Sequence, residues 1–274
     1  MTVTLSTTRA APGVKAGKVL GASATTWFVT AAIGQVLFAL YVAMFYGGAA
    51  LSGNFQKWND VLVGGYVRGG TVGNLVLAIH LLLAFVITVG GPLQLVPALR
   101  ARFLPFHRWN GRVYMVTAFV VSLAGIYAVW TRGTAGGLAM RAGISLNGLL
   151  IVIAAATAWR MVLARRIDAH RRWALRAFIL VSGVWFFRVG LMFWILANQG
   201  PVGIGKDFDG PFVRFWAYGC YLVPLAVLEL YLRAHSGGGK NGRLVMATGL
   251  FLLSAITAIG IAGAAMGLWL PRLT

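Results

Sequence analysis

Two stretches of this chain, Phe106-His107-Arg108-Trp109-Asn110-Gly111-Arg112 and Ala169-His170-Arg171-Arg172-Trp173-Ala174-Leu175-Arg176, nearly repeat one another. Each sets a histidine, clustered arginines and a tryptophan directly ahead of a long apolar run. Basic groups just outside such a run mark the cytoplasmic end of a membrane helix, so the two stretches decide how the rest of the chain is threaded. Working outward from them, apolar runs near the ~20 residues that a bilayer core requires fall at about 25–47, 72–97, 113–131, 144–164, 175–197, 213–233 and 244–270. Backbone hydrogen bonds inside lipid close within each segment, which selects helices. The alternation of a membrane β-barrel is absent. The expected fold is all-α, a polytopic bundle of seven transmembrane helices filling one domain, residues 25–270. A polar tail, 1–24, reads as disordered and cytoplasmic, and 271–274 as a short outer tail.

Composition agrees with this threading. Of 274 residues, 59% are hydrophobic and 11% charged, outside the usual range of soluble domains. The formal charge of +19 raises the question of nucleic acid, but the basic residues sit in every second connection and no soluble basic domain exists to bind it. The only cysteine, Cys220, lies in an expected span, which excludes an intramolecular disulfide and a cysteine-ligated cluster.

The basic residues also orient the chain. Arg9, Lys15 and Lys18 precede span one. Arg100, Arg102, Arg108 and Arg112 lie between spans two and three. Arg160, Arg165, Arg166, Arg171, Arg172 and Arg176 lie around the four-to-five loop, and Arg233, Lys240 and Arg243 between six and seven. Against these sixteen stand seven on the other face: Lys57, Arg68, Arg132, Arg141, Lys206, Arg214 and Arg272. The positive-inside rule puts the N-terminus in the cytoplasm and the C-terminus outside. The outer connections are glycine-rich, and the first has room for a short interfacial helix around Phe55 to Val63, with Trp58 and Tyr66 at headgroup level. In the last span Gly260, Gly263 and Gly267 allow close helix approach, either within the bundle or to a partner subunit or second copy.

Few polar residues remain to carry chemistry. His80 sits about 12 Å into span two at 1.5 Å per residue, either as a neutral ring bonded to a neighbouring helix or as a functional group. Arg188 lies deep in span five and cannot discharge, so it needs a partner, water or an anion. Their matched depth suggests one shared outer pocket. At the inner face Pro105 fits the first turn of a helix opening near Leu104. His107, Gly111 and Tyr114 then share one helix face and Arg108 and Arg112 another, while His170 pairs with Trp173 and Arg172 with Arg176. Arginine at a helix N-terminus is locally unfavourable. A bound carboxylate or phosphate reverses that, and anionic lipid headgroups supply such groups. Gly90-Gly91-Pro92 is expected to kink span two. Glu229 is expected to balance inner arginines, and His235 to be solvated.

The series His80…Gly91-Pro92-Leu93-Gln94…Arg100…His107-Arg108-Trp109-Asn110-Gly111-Arg112-Val113-Tyr114, then His170-Arg171-Arg172-Trp173…Arg176 and Arg188, resembles a bacterial family of multi-span membrane proteins of unknown function over roughly residues 75–235. The resemblance implies a bacterial inner membrane location. A looser similarity is to di-haem b-type transmembrane cytochromes of the ascorbate-reducible kind. It implies that His80 and His107 match ligand positions, with His170 a further candidate. The chain departs from that pattern, because His80 has no second histidine at its depth. What the similarity implies is therefore a single inner haem b between His107 and His170, with Arg108, Arg112, Arg172 and Arg176 on its propionates.

Three functions follow as expectations. The first is a b-cytochrome-like redox or cofactor-binding protein taking haem or a quinone between the two repeated stretches. The second is a non-catalytic, lipid-binding subunit or assembly factor of a membrane complex. The third is a small-molecule transporter using His80, Arg188 and the Gly-Gly-Pro break. A retinal pigment is excluded by the absence of lysine in the last span, and no HExxH or histidine–carboxylate cluster supports metal-dependent hydrolysis.

Overall fold

Every apolar run folds as helix in the computed structural model, which describes residues 12–273. Helix α1 (Pro12–Val42) passes through a π turn, Ala43–Gly47, into α2 (Gly48–Leu51), and a 3-10 turn follows at Phe55–Asp60. Then come α3 (Thr71–Leu95), α4 (Pro97–Arg102), α5 (Leu104–Thr131), α6 (Gly137–Leu163), α7 (Ile167–Val181), α8 (Gly183–Ala197), α9 (Pro211–Gly237) and α10 (Lys240–Ala264). A π turn, Ala265–Trp269, and a 3-10 turn, Leu270–Arg272, extend α10. Among the described residues six helices are long and apolar enough to cross a bilayer, and seven if α7 and α8, bent by 54° at their junction, form one span.

The helices pack around a closed circuit. α1 lies between α10 and α3, α5 between α3 and α6, and α9 against α6, while α8 joins α9 back to α10. α7 rests on α6 and α9, whereas its continuation α8 rests on α9 and α10. Span five thus changes neighbours halfway along, and the bend at Ser182-Gly183 makes the change possible. With no water to drive helices together inside lipid, close packing of small residues does so. Ala31, Ala155, Ala158, Ala177 and Ala264 are completely buried at these seams. Leu75, Leu82, Leu123, Leu149 and Leu252 stand out from the bundle surface, as lipid-facing side chains do.

Two expectations need correction, and a third is narrowed. Residues 12–24 belong to α1 rather than to a disordered tail. Ala16, Leu20 and Ser23 continue the buried seam of α1, and Leu20 packs with Ala247 and Leu250 of α10. The remainder of that expected tail, residues 1–11, lies outside the described residues. Second, Trp58 is buried against the bundle, its Nε1–H donating to the Tyr46 carbonyl (3.1 Å), and does not present its ring to headgroups. Third, the glycines of the last span are used inside the chain. A methyl group at Gly263 would lie 2.7 Å from Leu196 Cδ1, and one at Gly267 2.7 Å from Met192 Cε. Gly260 faces the Val189 backbone in the same way. All three partners are on α8.

Candidate functional site

The two repeated stretches lie at the same end of the bundle, which also carries the loops between α3 and α5 and between α6 and α7. The first is built on α3. Asn110 Nδ2 donates to the Gly90 carbonyl (3.0 Å), and Gln94 Nε2 to the His107 carbonyl (3.1 Å). A methyl group at Gly91 would stand 3.1 Å from Tyr114 Cε2 and 3.2 Å from the Phe178 ring, and one at Gly111 3.4 Å from Gln94 Oε1. The segment from Gly90 to Gln94 and the segment from His107 to Tyr114 are thus two halves of one helix clamp. Pro92 lies inside α3, where proline removes a backbone donor. α5 opens at Leu104 with Pro105 in its first turn, as expected.

The second stretch is built on α6 and α9. His170 Nδ1 is 2.9 Å from the Ala158 carbonyl. A carbonyl only accepts, so Nδ1 carries a proton, and the lone pair of the uncharged form of the ring falls on Nε2. Arg176 Nε and a terminal nitrogen donate to the two carboxylate oxygens of Glu229 (2.6 and 2.9 Å). The same guanidinium stacks 4.6 Å from the Trp173 ring centroid. Glu229 is the balancing group that the sequence suggested, and Arg176 commits two of its five donors to it.

His107 and His170 come within electrostatic range of each other, with Arg100 also acting on His107. Both imidazoles are half-buried, whereas Arg108, Arg112 and Arg172 are exposed. Arg112 lies 5.3 Å over the Trp109 ring. The result is a pair of imidazoles at a basic membrane surface, where Asp168 opens the same helix as His170 and Glu229 is already paired. Such a site can accept an anion, and through the His170 lone pair it can also offer a ligand to a metal.

His80 and Arg188 are not brought together. His80 Nδ1 is 3.1 Å from the Val121 carbonyl, and its Cε1 packs against Gly125, both on α5. Arg188 turns to α1, 5.2 Å over the Phe38 ring, and donates to the Val184 carbonyl (3.1 Å). The shared outer pocket expected from their depth is not formed, because α3 and α8 face different neighbours. Asp209, in the loop after α8, stands 3.5 Å from Arg214.

The sequence reading passed over the polar lining of the break in span five. Gln35 Nε2 of α1 donates to Ser182 Oγ (3.0 Å), which itself donates to the Phe178 carbonyl (2.8 Å). Asn147 Nδ2 of α6 donates to the Leu180 carbonyl (3.2 Å). The adjacent Ser182-Gly183 in mid-span was the available signal, since such pairs mark kinks.

Residues 77–232 match the family model described as "Predicted membrane protein (DUF2306)". The match spans more than half of the chain and contains both halves of the clamp and both histidine stretches, and the chain belongs to that family of membrane proteins. No curated protein and no solved structure matches it.

Proposed function

We propose that this integral membrane protein is a b-cytochrome-like redox protein that binds one haem at its arginine-rich end, where His107 and His170 would hold it. The observation that carries the reading is that these two imidazoles, from segments more than sixty positions apart, lie at one end of the bundle within electrostatic range of each other, together with the His170 Nδ1 bond to a backbone carbonyl. Metal-ligating histidines are held in this way, with the second nitrogen fixed by an acceptor. Haem would supply one-electron chemistry. The chain would supply the ligands, the helix clamp that holds His107 in place, and Arg108, Arg112 and Arg172 as partners for carboxylates. Arg176, engaged by Glu229, would act by holding α7 against α9. His80 and Arg188 lie outside this site.

The test is the visible spectrum of purified H107A and H170A. Loss of the reducible Soret band in both, with the helical signal unchanged, is the expected result. A band of wild-type intensity in either variant removes that histidine as a ligand.

A second reading, lipid binding by a non-catalytic subunit, is favoured by one feature. Between α5 and α6 an apolar groove of about 490 Å³ is lined by Val116, Phe119, Ala156, Trp159 and Leu163, with Arg160 at its end. That combination suits an acyl chain below an anionic headgroup. A colourless, fully folded protein that retains phosphatidylglycerol through purification would favour it.

A further inference from the structure

At the opposite end of the bundle lies a group of hydrogen-bond donors, of which the Trp269 indole N–H has no acceptor among the described residues. Arg188 projects from α8 over Phe38, and Phe38 in turn meets Trp269 (ring centroids 5.5 Å apart). Tyr41 lies 6.4 Å from Trp269 and 6.1 Å from Tyr46 between centroids. The charges of Arg188 and Arg272 both act on the two tyrosine hydroxyls. Trp269 is 2% exposed, and its indole N–H has no acceptor among the described residues. A guanidinium carries five donors. Among the described residues the Arg188 group makes one hydrogen bond, to Val184, and takes no part in an ion pair. Arg272 donates to the Leu268 carbonyl.

Two guanidinium groups and an orphan indole N–H, set among aromatic rings inside a membrane bundle, are expensive unless a negative group joins them. Among the described residues no carboxylate pairs with either arginine: Glu229 and Asp209 are paired elsewhere, Asp60 and Asp207 make no ion pair, and Asp168 opens α7 at the far end. We propose that Arg188, Arg272, Trp269, Tyr41 and Tyr46 form a binding site for a small anion, one that sits against the Phe38 ring edge and takes its hydrogen bonds from the guanidinium, indole and phenol groups. The same chemistry is offered by a free anion such as chloride or acetate and by the head of an anionic lipid. This site is separate from the histidine pair and does not depend on that reading.

The test uses the full chain in a maltoside detergent, with ionic strength held constant by sodium gluconate. Thermal unfolding and tryptophan fluorescence are followed while chloride or acetate is titrated, and in a second series phosphatidylglycerol. The expected result is a saturable rise in Tm of about 5 °C and a saturable fluorescence change. Both should be lost in R188Q, weakened about tenfold in midpoint in R272Q, and retained in the loop variant R68Q. A response to chloride or acetate identifies a free anion. A response to phosphatidylglycerol alone, still dependent on Arg188, identifies a lipid head. If R188Q fails to fold, R272Q and the wild-type titrations still decide. A wild-type protein that responds to none of the three, or an R188Q protein that responds as wild type does, overturns the proposal.

Discussion

Gly91 shows how one residue holds the site in place. It is buried where α3, α5 and α7 meet, and any side chain there runs into Tyr114 and Phe178. Overpacking a tight contact of this kind costs about 1–3 kcal/mol. G91A should therefore lower the unfolding midpoint in detergent and G91L should lower it further, while G47A, in open space, should not. The Arg176–Glu229 pair makes a different residue-scale prediction. Its geometry is bidentate, but the side chains remain 22% and 36% exposed, so solvent screens the pair and its contribution is about 1 kcal/mol. E229Q should lose about that much by denaturant unfolding. The exchanged double variant, R176E with E229R, should recover part of it, and no recovery would mean that the contact is incidental.

At the scale of the element, the break in span five is the feature that the hydrophobic pattern hid. The run from Leu175 to Ala197 reads as one continuous apolar helix, and hydropathy cannot distinguish it from two helices meeting at 54°. What bends it is tertiary: α7 belongs with α6 and α9, and α8 with α9 and α10. Carbonyls at the bend are met by Ser182 and Asn147, and Gln35 donates to the Ser182 hydroxyl; these residues look unremarkable one at a time in the sequence. S182A leaves the buried Gln35 amide without its acceptor and should cost about 1 kcal/mol, the usual worth of such a bond between membrane helices. Adding Q35L to S182A should return most of the loss in a double-mutant cycle, and additive losses would exclude the bond as the cause. The spans themselves were legible because each had to be long and apolar. The clamp was only half legible: the glycines, Pro92, Gln94 and Asn110 stood out as a pattern, but their pairing across helices required the fold. Depth alone misled for His80 and Arg188, since it gives position along the bilayer normal and not the neighbour that a side chain faces.

At the scale of the whole molecule, fifteen described basic residues lie at one end and seven at the other, counted in the groups named above. If that asymmetry sets the topology, a cysteine replacing Lys206 in intact cells should react with a membrane-impermeant maleimide, and one replacing Arg165 should react only after lysis. Cys220 is buried and should contribute little background. The reverse pattern would invert the orientation and put the histidine pair on the outer face. The central claim is that this pair holds a haem, and the most direct measurement is the absorption spectrum of the purified wild-type protein before and after dithionite, combined with extraction of the pigment. The account predicts a Soret band that shifts on reduction and close to one haem b per chain, whereas a fully folded, colourless protein that does not take up added haemin would contradict it.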